Sequence, residues 1–266
     1  MTPTDETIKQ LTDTLAQYNP VTNATMEKIA KAMIPLAMGI IGILFMIELL
    51  NMSKQFDRED GGMTTEVFMN IAMKYVIAFF LVSCSGQLID AIMWIGIQMT
   101  KWINSIVAHT ATDGSIPSLS DAPWYQKPLL AFAEMFAYLA LGASTMIVKI
   151  LVFLRMMQLY IVKAIAPILI AFFTSTELRS IAIGFFKHVM TFVLQGALLM
   201  LIIGLIPVIT SNDYLSFGTF TDGAFKNAGT VMHNFMIYMS LIFKYVTIIF
   251  LLIGSQNLAK RFIGGM

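Results

Sequence analysis

Charged side chains are sparse in this chain, so each one set inside an apolar run is a place where chemistry can occur. Glu48, Glu66, Lys74, Glu134, Lys149 and Lys244 stand in such runs. A charge in hydrocarbon is costly, so an intramembrane ionisable residue marks an ion or proton path, a pair between helices, or a side chain that reaches the interface. Glu48 and Glu66 lie near the ends of their runs, where a carboxylate can reach water. Lys74 and Lys244 sit deeper, but their long stems can carry the ammonium outward. A buried lysine–glutamate pair, Lys74 with Glu134 for instance, is the alternative. Lys74 and Lys244 also share a local pattern, Lys-Tyr-Val followed by Phe80-Leu81 in one copy and Phe250-Leu251 in the other. This is either an internal repeat of the kind transporters carry or coincidence in an apolar chain.

Other chemistries find no support in the sequence. His109, His188 and His233 are far apart and show no ligand spacing, so no metal site is expected. The single cysteine, Cys84, rules out an intrachain disulfide. No nucleophile elbow, phosphate loop or zinc-protease motif occurs. The expectation is a chain without catalytic residues and without a cofactor. The 21 methionines are scattered, which suits gap-filling and adaptable protein contacts better than a thioether metal path.

The elements that must carry these residues follow from composition. Of 266 residues, 57% are hydrophobic and 12% charged, and the mean hydropathy is +0.75. Soluble domains carry about 25% charged residues, and disorder needs low hydrophobicity; both are excluded. The net charge of +1 gives no basic footprint for nucleic acid. The expected fold is therefore an all-α polytopic membrane protein. Residues 1–29 form an amphipathic arm, with Ile8, Leu11, Leu15 and Tyr18 at helical spacing until Asn19-Pro20. The arm is either solvated or interfacial, or it docks on a partner. Residues 30–85 hold two spans, about Ala30–Leu50 and Thr65–Ser85, joined by a polar connector. Residues 86–128 hold an interfacial helix, 87–109, and a loop. Trp94, Trp102 and Trp124 are its boundary anchors. Residues 129–266 hold a long central helix and two further spans, about Ile181–Ile209 and Thr230–Ile253. Gly39, Gly42, Gly142, Gly196 and Gly204 mark places for close helix approach.

The central segment is ambiguous. About 45 residues, Leu129 to Phe173, contain no turn signal, and a helix of that length would extend about 68 Å against a hydrocarbon core of about 30 Å. The absence of Gly, Pro or Asn between Ser144 and Ala164 favours one long helix, which Pro167 then breaks. Lys149, Arg155 and Lys163 on its second half are better solvated outside lipid. Lys260 and Arg261 put the C-terminus in the cytoplasm by the positive-inside rule. One long helix gives five spans with the N-terminus outside. A hairpin gives six with both ends inside, and the loop charges favour that count, so charge and helix continuity disagree.

The stretch LRMMQLYIVKAIAPILIAFFTSTELRSIAIGFFKHVMTFVLQGALLMLI resembles the TrbL-type conjugal transfer family, polytopic inner-membrane subunits of type IV secretion systems. The similar features are Ala-x-Ala-Pro167, the apolar run to Phe173, and a polar turn with Thr174, Glu177 and Arg179. Gly184-Phe185-Phe186-Lys187 and a span with Gln195 follow. The likeness is clearest over about residues 130–210. It implies about five spans, an outward N-terminus, a sizeable outward loop that 86–128 would supply, and no enzymatic activity. It further implies a bacterial inner-membrane platform of several copies, working with other secretion subunits and a cytoplasmic ATPase, with transient contact to translocating DNA. Arg155, Lys163, Arg179 and Lys187 would then face a cytoplasmic entrance or partner, or simply anchor the topology. A stand-alone small-solute transporter or channel is the competing reading, and it would need paired broken helices and a polar midplane site.

Overall fold

The computed structural model describes residues 5–56, 65–107, 127–211 and 229–263, and among these there is helix and turn but no strand. The helices are α1 (Asp5–Thr12), α2 (Leu15–Tyr18), α3 (Pro20–Phe56), α4 (Thr65–Ser83), α5 (Ser85–Val107), α6 (Lys127–Ala171), α7 (Arg179–Ser211) and α8 (Gly229–Phe262), with a 3-10 turn at Phe172–Thr174 after α6. Among the described residues, four segments are long and apolar enough to cross a bilayer: Pro20–Lys54, Lys127–Thr174, Arg179–Leu205 and Tyr238–Phe262. The bent pair α4–α5 makes a fifth if the two count as one span. The expected connector and loops at 57–64, 108–126 and 212–228, and Trp124 with them, lie outside the described residues.

Local sequence explains the boundaries. Asn19-Pro20 ends α2 but also starts α3: the Asn19 side chain accepts from the Thr22 amide at 3.0 Å, and proline is preset for the first helical position. The first span's helix therefore begins ten residues before the expected Ala30. The arm is two helices rather than one, because Thr14 and Gln17 form a reciprocal capping box that starts α2 afresh. Between α4 and α5 the axis turns by 67° at Cys84. The main-chain bonds from Cys84 to Phe80 and from Leu88 to Cys84 survive this bend at 3.0 Å each. The Ser83 hydroxyl donates to the Phe79 carbonyl at 2.9 Å, a back-bond of the kind that bends helices.

α6 is one continuous helix of 45 residues, which removes the hairpin and with it the six-span alternative. The expected helix break is also absent. Pro167 does not break α6; the helix continues to Ala171 and only there tightens into the 3-10 turn. Proline removes a single amide donor, the one owed to the Lys163 carbonyl. Packing of Ala166, Ile170 and Ala171 into a buried cluster holds the last turns in helical form.

The chain packs as two units. The first comprises Met1–Thr12, Ile97–Arg155 and Leu194–Phe262. In it Leu11 of α1 is fully buried with Val152, Leu199, Met200 and Leu252, so α1 docks on its own chain. Gly204 lies against Val107, leaving no room for a Cβ. The second unit comprises Asp13–Gly96, Met156–Val193 and Ile263–Met266. Its larger cluster joins α3, α4, α6 and α7 through Ala37, Ile71, Val82, Ala166 and Val189. There Gly96 lies against Val193 in the same way, while Gly39 and Gly42 face open space, as does Gly142 in the first unit.

Gly96→Ala should therefore cost about 1–3 kcal/mol by overpacking, read as a lowered unfolding temperature in detergent, and Val193→Ala should restore it. Gly142→Ala should be neutral or stabilise by up to about 1 kcal/mol through helix propensity. Equal effects at the two positions would contradict this packing.

Candidate functional site

In the second unit the Lys163 ammonium bonds to three other side chains. It projects from α6 and its side chain is 3% exposed. Unpaired, such a charge would cost several kcal/mol. It donates to Glu27 Oε1 at 3.0 Å, to Asp90 Oδ2 at 2.9 Å and to Asn23 Oδ1 at 3.3 Å. Asn23 in turn donates to Glu27 Oε1 at 2.9 Å. One turn earlier, the Tyr160 hydroxyl lies 2.6 Å from the Leu15 carbonyl and 3.2 Å from that of Asn19. One face of α6 thus ties down α2, the start of α3 and α5. The two carboxylates remain 44% and 50% exposed, so their outer sides stay open. Tyr18, on α2 outside the spanning segments, packs beside Tyr160, and burial raises its phenol above the ordinary value.

A second cluster joins α3 to α4. Lys74 Nζ donates to both oxygens of Glu48, at 2.8 and 3.1 Å. The Tyr75 hydroxyl donates to Glu48 Oε2 at 2.5 Å, and the ammonium sits 5.6 Å from the Tyr75 ring centre. The glutamate paired with Lys74 is thus Glu48. Glu134, in the first unit, is half-buried on α6.

The remaining expected residues are distributed as follows. Arg155 is 2% exposed in the first unit, with its guanidinium so close to Gly196 that a Cβ there would fall on it. Lys244 is buried in the same unit, and Lys149 forms an exposed ion pair with Glu6 at 3.6 Å. Arg179 and Lys187 are exposed on α7, and the Arg179 guanidinium stacks 5.4 Å from the Phe173 ring centre. Glu66, Trp94 and Trp102 are exposed. The cations grouped together by sequence are thus of two kinds, with Arg155 and Lys163 buried and Arg179 and Lys187 open.

Sequence reasoning did not assign roles to Glu27, Asn23, Asp90, Tyr160 or Tyr75. One signal was present for the α3–α4 pair: Glu48 and Lys74 lie thirteen residues either side of Gly61 in the connector, as antiparallel register requires. No spacing rule links Lys163 to partners 136 and 73 residues away. Chemically, both clusters fix helices in place. Neither holds a nucleophile with a base, and among the described residues no three His, Cys, Asp or Glu side chains gather to hold a metal.

Lys74→Met should destabilise the second unit by about 2–4 kcal/mol, because it strands the Glu48 carboxylate. Lys74→Met with Glu48→Met should recover most of that loss. Thermal unfolding in detergent reads both, and additive losses would contradict a coupled pair.

No match was found among the curated proteins. A family model described as TrbL/VirB6 plasmid conjugal transfer like protein matches residues 2–167. That span takes in α1 to α5, most of α6 and the whole Lys163 cluster, and it overlaps the resemblance read at 130–210 only over 130–167. The match covers more than half of the sequence, and the chain belongs to the TrbL/VirB6 plasmid conjugal transfer-like family.

Proposed function

We propose that this chain is a structural, channel-forming subunit of a conjugative type IV secretion machine, helping DNA or protein cross the cytoplasmic membrane. The observation that carries the reading is the family match over 2–167, which makes the chain a multi-pass membrane component of a conjugal transfer system. The distribution of charge supports the finer role. Lys74 and Lys163 bind carboxylates of the same chain, as scaffold residues do. Arg179 and Lys187 stay exposed at the start of α7 and are candidates to meet a cytoplasmic ATPase, another membrane subunit or passing phosphates. Together with Lys260 and Arg261 they support, by the positive-inside rule, a reading in which that turn and the C-terminus face the cytoplasm. Five spans in the bacterial inner membrane, several copies per assembly and no catalytic activity complete the reading. A solute carrier is disfavoured because it calls for paired broken helices, and the described residues contain one bent pair, α4–α5.

Deleting the gene should abolish plasmid transfer, and supplying it in trans should restore it. Arg179→Glu with Lys187→Glu should lower transfer at least about tenfold, the scale of one lost charged contact at an interface, with unchanged abundance in the membrane. Normal transfer after deletion, with altered solute uptake, would favour the carrier. Normal transfer in the charge-reversed variant would reduce Arg179 and Lys187 to topology anchors.

A further inference from the structure

α6 carries one proline in its interior, Pro167. Proline has no N–H, so the helical bond missing along this stretch is the one to the carbonyl four residues earlier. That carbonyl belongs to Lys163. The same residue's ammonium is gripped by Glu27 of α3 and Asp90 of α5. The weakest main-chain turn of α6 is therefore clamped from outside by ion pairs to two other helices. Beyond it lie only Ala164–Ala171 and the 3-10 turn, which packs on α3 and α4. Sharp bends in long helices arise at such prolines, yet here the helix is held in regular form. The clamp is polar and half-open: both carboxylates are exposed over about half of their side chains, so the described residues of the unit do not enclose them.

We propose that the Lys163–Pro167 turn is a charge-locked hinge of α6. With the ion pairs closed, α6 is one rod. With them open, only the apolar packing of Ala166, Ile170 and Ala171 restrains the segment from Ala164 to Thr174, which then swings about the missing hydrogen bond and changes the angle at which α6 delivers the polar turn ahead of α7. Lys163 acts here as a positioning residue, and Pro167 supplies the freedom that Lys163 restrains.

The test uses spin labels on cysteines placed at Val21 and Glu177, both exposed and both in the second unit, in full-length protein with Cys84→Ser, reconstituted in lipid. The distance distribution is compared among the parent, an uncharged variant (Glu27→Gln, Asp90→Asn, Lys163→Met), and the same variant with Pro167→Ala. A narrow parent distribution should broaden or shift when the lock is removed and narrow again when the proline is replaced. Three superimposable distributions would overturn the proposal, as would a broadened one that Pro167→Ala leaves unchanged, since loss of packing alone does not depend on the proline. If the uncharged variant does not accumulate, Pro167→Ala alone decides: plasmid transfer should fall at least about tenfold at unchanged abundance, as for other hinge substitutions, and unchanged transfer would overturn the hinge. This last arm rests on the transfer reading, whereas the distance arm does not. Normal transfer after gene deletion would therefore sink that reading and leave the distance result standing.

Discussion

A single buried ammonium sets the terms for half of this protein. Lys163 lies on a mostly apolar helix, and burying it without partners would cost more than most packing contacts return. The chain resolves this by bringing Glu27 and Asp90 to it from two other helices. Those carboxylates fix where α3 begins its path along α6 and which face α5 presents. The Tyr160 hydroxyl, one turn away, fixes the α2–α3 junction in the same way. The apolar clusters around Ala37, Val82 and Val189, and around Leu15 and Met156, then fill the space that these polar contacts define. In a bilayer apolar contact discriminates weakly between helix pairings, because lipid tails are as apolar as leucine. Directional polar contacts and close glycine approaches carry the specificity instead. Gly96 against Val193 is one such approach, and Gly204 against Val107 is another.

The scarce charge of this chain thus divides into two sorts. Lys74, Lys149 and Lys163 bond to carboxylates of the same chain, and Arg155 is enclosed beside Gly196. These residues build the subunit. Arg179 and Lys187 remain open at the turn where the central helix gives way to α7. That division suits a component of a larger assembly, whose rigidity is internal and which keeps other charged residues exposed.

Hydropathy carried the architecture well, because a span is a property of twenty neighbouring residues and needs no knowledge of the rest. The long helix was legible from the lack of Gly, Pro and Asn between Ser144 and Ala164. The behaviour of Pro167 was not: whether a proline ends a helix or merely weakens one turn depends on the packing of Ala166, Ile170 and Ala171 beyond it. The start of α3 was missed because Asn19-Pro20 reads equally as a stop and as a cap. The partner of Lys74 was recoverable from register about Gly61. Glu27 and Asp90 were not recoverable as partners of Lys163, since the register of non-adjacent helices is written in packing and not in spacing.

The polar framework of the second unit requires that Lys163 and its carboxylates act as a unit. A double-mutant cycle between Lys163→Met and Glu27→Gln, read by reversible unfolding in detergent, measures this directly. A coupling energy of about 1–3 kcal/mol, as for residues sharing one ionic network, is what the structure requires. Additive single effects, within about 0.3–0.5 kcal/mol, would mean that the ammonium and the carboxylate do not sense each other, and the polar framework described above would be wrong.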